Sequence, residues 1–289
     1  MTNDNEKKDE TYVRPEVLTY EDVAEMVPKL KGHRKLVERL LHWLSVDKVN
    51  AVHERWHKTP GPEFTKHLLF DSFHNTLRVD GKEVLEHLPK GAFITVSNHP
   101  LGAIDGIALI YLITRHRPEF RVMVNMILNR IQAMRPNFIA VDAWSQDDPE
   151  KKRQSVLGIR QALRMLAHGE PVGFFPAGAM SKINWKNQLE DREWQRSVLE
   201  IIYRAKVPVI PIYFHDRNSW WCNFLGVVCW PARSLRLPAE VFRKNGKELH
   251  ISVGEPISPE EQRQHGANAE ELGKYLRMKT YELREKYGK

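Results

Sequence analysis

From Leu77 onward, short apolar runs alternate with longer stretches of helical spacing, and this alternation restricts the fold more than any other feature of the chain. The runs are Leu77 to Val79, Phe93 to Val96, Arg121 to Val124, Phe138 to Val141, Val172 to Phe175, Val207 to Ile212 and Leu249 to Val253. They are too short for helices and rich in bulky or β-branched residues, as buried strands require. Between them, Val156, Ile159, Leu163 and Leu166 mark the clearest helical stripe, closed by Gly169. Strand-helix alternation predicts an α/β sandwich with a largely parallel sheet. In such sheets functional residues gather at the carboxyl ends of the strands.

A chain of 289 residues with 42% hydrophobic content can bury a sizeable core. Residues 76–289 are expected to form the α/β domain, and residues 1–75 a mobile tail followed by amphipathic helices. Thr19 with Asp22 resembles a capping box that opens a helix ending near Pro28. Leu36, Val37, Leu40, Leu41 and Leu44 then recur at helical spacing, with Arg34, Lys35, Glu38, Arg39 and His42 opposite and Trp43 adjoining. After the break at Thr59-Pro60-Gly61-Pro62, Phe64, Leu68 and Phe73 suggest a further helix. Two readings of these helices stand: their stripes pack on the main domain, or they lie in a membrane interface.

The formal net charge of +7 favours an anionic partner such as an acidic carrier protein, coenzyme A, a membrane surface or nucleic acid. Nucleic acid is disfavoured, because the basic residues are scattered and no zinc-finger, RNP or helix-turn-helix signature is present. Cys222 and Cys229, seven apart, have neither zinc-knuckle nor CxxC spacing and read as reduced, structural thiols. None of the thirteen histidines belongs to an HExxH or comparable cluster, so no metal site is expected. The first ten residues are polar and charged, and no window supplies the roughly 18 consecutive apolar residues of a spanning helix. Contact with a membrane would be peripheral or monotopic, on the cytoplasmic side.

The stretch Val96 to Gly106 carries the chemistry. An apolar run stops at His99, Pro100 and Gly102 break the strand, and Asp105 stands at the opening of a helix that is almost entirely apolar from Ile107 to Ile113. A carboxylate that accepts the imidazole Nδ1 proton fixes the tautomer and leaves Nε2 as a base. The plainer alternative is that Asp105 caps its helix and His99 is a satisfied turn residue. Ser97 invites a serine-hydrolase reading, but there is no G-x-S-x-G elbow.

Three blocks, Asn98-His99-Pro100-Leu101-Gly102-Ala103-Ile104-Asp105, Phe174 to Ser181 and Val207 to Phe214, together resemble the glycerolipid and lysophospholipid (PlsC-like) acyltransferase family in order and spacing, over roughly residues 76 to 256. The resemblance implies an acyltransferase-type αβ sandwich and a fatty acyl transfer from an acyl thioester, acyl-ACP or acyl-CoA, to the hydroxyl of a lyso-lipid. The thioester is a co-substrate, and no bound cofactor is implied. It also implies a catalytic pair, His99 as general base and Asp105 as its orienting carboxylate. Asn98, Pro176, Gly178 and Ser181 would bind the acceptor and shape the site.

The departures from the family pattern narrow the acceptor. Five residues separate His99 from Asp105 where the general pattern has four, and Ala177 and Met180 replace the glutamate and arginine of Phe-Pro-Glu-Gly-Thr-Arg. Asp142 stands near where phosphate-using relatives place an arginine. Missing cations argue against a glycerol-phosphate acceptor, unless Lys182, Arg135 or Arg217 supplies one from elsewhere. The pattern resembles the branch of bacterial ornithine-lipid and glycine-lipid O-acyltransferases and of proteins called hemolysins. There, Arg217-Asn218 could hold an acceptor carboxylate, against the alternative of an exposed loop arginine. The aromatic stretch Trp220 to Pro231 reads as a loop that inserts into lipid, lines an acyl channel or closes the core. Glu260 to Lys289 reads as one charged helix packed through Leu272, Leu276 and Leu283.

Overall fold

The computed structural model describes residues 13–141, 149–184, 188–228, 233 and 235–288. Each of the seven apolar runs becomes a strand of one sheet: β1 (Thr76–Asp80), β2 (Ile94–Ser97), β3 (Arg121–Asn125), β4 (Phe138–Val141), β5 (Val172–Phe174), β8 (Val209–Phe214) and β9 (Glu248–Val253). Two further strands, β6 (Lys182–Ile183) and β7 (Leu189–Glu190), form a separate antiparallel hairpin. The large sheet has the order β1-β9-β8-β2-β5-β3-β4. Every pairing in it is parallel except β8 with β9. Consequently β2, β3, β4, β5 and β8 run the same way and end on one edge.

Burial follows position in the sheet. All residues of β2, β5 and β8, which lie inside it, are buried, whereas the edge strand β1 alternates between exposed and half-buried. A strand covered on both faces has no side on which to place polar residues. One face is covered by α6 (Ala103–Thr114), with Leu109, Ile110 and Ile113 fully buried, and by Phe64, Leu68, Leu69 and Phe73 from the segment ahead of the sheet. The other face packs against α7 (Pro149–Ala167), α8 (Arg196–Ala205) and α12 (Ala269–Tyr287) through Ala162, Ile202 and Leu276.

The chain ahead of the sheet forms α1 (Tyr20–Met26), α2 (Arg34–Trp43), α3 (Val46–Trp56) and α4 (Pro62–Lys66), with α5 (Lys82–Glu86) following β1. The Thr19–Asp22 capping box forms as expected. The stripe of α2 divides: Val37 and Leu44 are buried, while Leu36, Leu40 and Trp43 stand out, Trp43 at 70% exposure. At the other end the structure corrects the single terminal helix. There are two, α11 (Pro259–His265) and α12, because Asn268 caps the second one by accepting from the Glu271 N–H at 3.0 Å. Leu272, Leu276 and Leu283 are among its buried residues, as expected.

Candidate active site

His99 lies two residues beyond the end of β2, on the edge shared by the parallel strands. Gly102, at φ +83°, then turns the chain into α6. The turn is tight: a Cβ on Gly102 would approach Leu237 Cδ2 at 2.6 Å and Met180 Sδ at 2.9 Å. Asp105, in the first turn of α6, is fully buried, and its Oδ2 lies 3.3 Å from His99 Nδ1. That contact is near enough to fix the ring but is not aligned as a hydrogen bond. Oδ2 instead accepts from the Leu101 N–H at 2.9 Å, while His99 Nδ1 and Asp105 Oδ1 are buried without a hydrogen-bond partner. Catalytic pairs in ligand-free proteins often stand in this loosened form. The imidazole packs against Phe175 with ring centroids 4.2 Å apart, and His99 keeps 20% of its side chain exposed.

The backbone of His99 is held from the opposite side by Ser181 and Asp191. The His99 N–H lies 3.3 Å from both Ser181 Oγ and Asp191 Oδ1, and the Ser181 N–H donates to the His99 carbonyl at 2.9 Å. Ser181 donates its hydroxyl to Asp191 Oδ1 at 2.6 Å, and Trp194 Nε1 donates to Oδ2 at 3.3 Å. Burial pushes the Asp191 carboxyl above the ordinary range, against the pull of these donors. Asp191 belongs to no block of the sequence. One charged residue among four in a row, Glu190 to Glu193, it becomes recognisable only once the chain folds it against Ser181.

Other residues of the candidate set stabilise the same turn. Asn98 joins β2 to β8, its Nδ2 donating to the Phe214 carbonyl at 2.9 Å and its Oδ1 accepting from the Phe214 N–H at 2.7 Å. Its amide is thereby spent on backbone. Asn218 donates to the Pro100 and Leu101 carbonyls, 3.2 Å each. The Pro176 carbonyl accepts from the Gln195 N–H at 2.8 Å. Gly178 has φ +62°, and the group that comes close to it is the Gln195 amide. Arg217 is exposed, as are Lys182 and Arg135. Ser97 is fully buried, and its hydroxyl has no partner, so it is not coupled to His99. Asp142 lies outside the described residues.

As far as Val228 the aromatic stretch is helical rather than a loop. Residues Trp220–Val228 form helix α9, started by Ser219, whose Oγ accepts from the Cys222 N–H at 3.3 Å. Cys222 and Asn223 turn inward, while Trp220, Trp221 and Phe224 are exposed at 63%, 60% and 43% and stack on one another. Trp230 and Pro231 lie outside the described residues. No group of three or more metal-ligating side chains occurs among the described residues.

A histidine beyond a strand end, a buried carboxylate on the following helix and a proline-glycine turn beside them make up the candidate site. The family described as Acyltransferase matches residues 21–288, and the chain belongs to that family. The lyso-glycine lipid O-acyltransferase of Bacteroides thetaiotaomicron is 29% identical over 181 residues, covering 60% of this chain and 64% of the relative. The protein of the same name from Phocaeicola vulgatus is 27% identical over 181 residues, covering 60% and 62%. The chain thus spans somewhat less than two thirds of the length of both curated relatives. The crystal structure of the 1-acyl-sn-glycerophosphate (LPA) acyltransferase PlsC from Thermotoga maritima is similar over 79% of this chain and 82% of its own. Its identity to this chain is 17% and its TM-score 0.49.

Proposed function

We propose that this acyltransferase moves a fatty acyl group from a thioester on acyl carrier protein or coenzyme A to the hydroxyl of a lyso-aminolipid of the glycine- or ornithine-lipid type. The observation that carries the proposal is the His99–Asp105 pair at the shared strand edge, 3.3 Å apart, with the carboxylate fully buried and the imidazole partly open. In this reading His99 Nε2 takes the acceptor's hydroxyl proton as the oxygen attacks the thioester carbonyl. The tetrahedral intermediate then expels the thiolate, which recovers that proton from the imidazolium. Asp105 keeps the ring oriented and stabilises its charged form. No covalent acyl-enzyme is needed. The names of the two relatives support an amino-acid lipid as acceptor, and Met180 in place of an arginine weighs against a phosphate.

A membrane surface is the proposed setting, on the cytoplasmic side. No described helix is long and apolar enough to cross a membrane. The exposed aromatic face of α9 and the exposed Leu36, Leu40 and Trp43 of α2 support interfacial contact, since indole is suited to the boundary between hydrocarbon and water. The positive net charge favours an anionic leaflet. Acylation of lyso-glycine lipid and of lysophosphatidic acid in mixed micelles, with acyl-CoA and acyl-ACP as donors, tests the reading. Acyl transfer to the glycine lipid is expected. Transfer to lysophosphatidic acid alone, or to neither, contradicts it.

A further inference from the structure

Arg233 is 3% exposed, and its guanidinium is held only by two long hydrogen bonds and by the neighbouring Cys222 thiol. Its Nη1 lies 3.4 Å from the Met180 carbonyl and its Nη2 3.5 Å from Asn223 Oδ1, both at the limit of hydrogen bonding, and its Nε is buried without a partner. No described carboxylate forms an ion pair with it. The nearby carboxylate, Glu240, is committed elsewhere, accepting from the Ser219 N–H at 2.9 Å and the Ser219 hydroxyl at 2.6 Å. Arg236, in the same corner, also has a buried Nε without a partner. Arg233, Arg236 and Glu240 all act electrostatically on the buried Cys222 thiol, and Arg233 hydrogen-bonds to it as well, so among these neighbours two positive charges face one negative. A buried guanidinium is costly when, among the described residues, it has left water without recovering a charge partner.

This cation adjoins the walls of the site. Met180 precedes Ser181, whose N–H holds the His99 carbonyl at 2.9 Å. Asn223 donates to the Asn218 carbonyl at 2.9 Å, and Asn218 donates to Pro100 and Leu101. Both contacts of Arg233 therefore lead within one or two residues to the turn that carries His99. A planar fork of donors suits a carboxylate, which it can grip through two parallel hydrogen bonds. A glycine acylated on nitrogen keeps such a carboxylate.

We propose that Arg233, with Arg236 beside it, binds the carboxylate of the acceptor's amino-acid headgroup and so places the acceptor hydroxyl at His99. The inference rests on the acyltransferase reading above, and it moves the headgroup site from the exposed Arg217 to a buried arginine that no local motif marks. Its test compares lyso-glycine lipid with its carboxyl methyl ester as acceptors, for the wild type and for Arg233→Gln. The wild type is expected to favour the free acid in kcat/KM by roughly 30-fold or more, the effect of losing one partner of a buried charge pair. In the variant that acid-to-ester ratio falls toward one.

Should Arg233→Gln fail to fold by circular dichroism, Arg233→Lys is measured in its place. It keeps the charge but loses the fork, so the ratio is expected to fall part of the way. A ratio unchanged in a folded variant overturns the site while leaving the acyltransferase reading intact. An arginine-dependent preference for lysophosphatidic acid overturns the carboxylate assignment in favour of phosphate. Binding of an N-acylglycine without a hydroxyl, followed by thermal shift, provides a readout that does not depend on turnover. If the wild type acylates nothing but is stabilised by this ligand, and Arg233→Gln is not, the function fails and the site stands. Stabilisation that is the same in the variant as in the wild type overturns the site.

Discussion

His99 is held at two places that have separate consequences. Its ring faces Asp105, and its backbone is fixed by Ser181 and Asp191. Removing the imidazole should remove the base: His99→Ala is expected to lower kcat by about 10²- to 10⁴-fold, measured with saturating acceptor, with no loss of fold by circular dichroism. Removing the backbone support should act on stability as well. Ser181→Ala takes away the hydroxyl that satisfies the buried Asp191 carboxylate at 2.6 Å. The expected cost is about 1–3 kcal/mol in urea unfolding, the worth of one short hydrogen bond to a buried carboxyl that keeps only the longer His99 and Trp194 donors, together with a lower kcat because the turn carrying His99 loosens. Unchanged stability would mean that the His99 and Trp194 donors suffice for Asp191.

Among the elements, the turn between β2 and α6 and the helix α9 make opposite demands. Gly102→Ala forces a side chain onto a backbone at φ +83° and against Leu237 and Met180. It is expected to destabilise by more than about 1 kcal/mol and to displace His99, both visible in denaturant unfolding and in kcat. On α9 the exposed aromatics touch little of the fold. Replacing Trp220, Trp221 and Phe224 with serine should leave unfolding within about 0.5 kcal/mol per site, while sedimentation with anionic vesicles falls; retained sedimentation would place membrane contact elsewhere. These two elements also show what the sequence discloses. The turn could be read directly, because strand, breakers, histidine and carboxylate follow one another within a dozen residues. The helix is hidden in the sequence because its tryptophans and Gly226 suggest irregular backbone, and its start depends on one serine cap. The hairpin β6–β7 was not expected at all, since strands of two residues have no periodicity.

At the scale of the molecule, the parallel sheet was legible because strands buried on both faces must be apolar runs, and each of the seven runs became one. Asp191 and Arg233 were not, since a single charged residue acquires its role only from what folds around it. The seam between β8 and β9 sets a pH limit of its own. His215 stacks on His250 with ring centroids 3.9 Å apart and donates to or accepts from Ser252 Oγ at 2.7 Å, while His250 pairs with Asp80 at 2.5 Å. Burial, reinforced by the neighbouring imidazole, pulls the His215 pKa down to about 4. Below the ordinary histidine value of about 6.5, the unfolded chain takes up a proton that the folded His215 refuses, so stability falls between roughly pH 6.5 and 4 and levels off beneath. The expected loss is on the order of 2 kcal/mol for this half-buried ring, read as a drop in Tm that His215→Asn flattens.

In the proposed mechanism the His99 turn transfers the acyl group without a protein nucleophile. The most direct measurement is a single-turnover reaction of the wild type and His99→Ala with labelled acyl-ACP or acyl-CoA and lyso-glycine lipid in micelles, following product lipid, free thiol and any label retained on the protein. One product ester is expected for each thiol released by the wild type, with no labelled protein at any time and at least about 100-fold less product from the variant. Label accumulating on the protein before product appears, or product formation undiminished in His99→Ala, would contradict this mechanism.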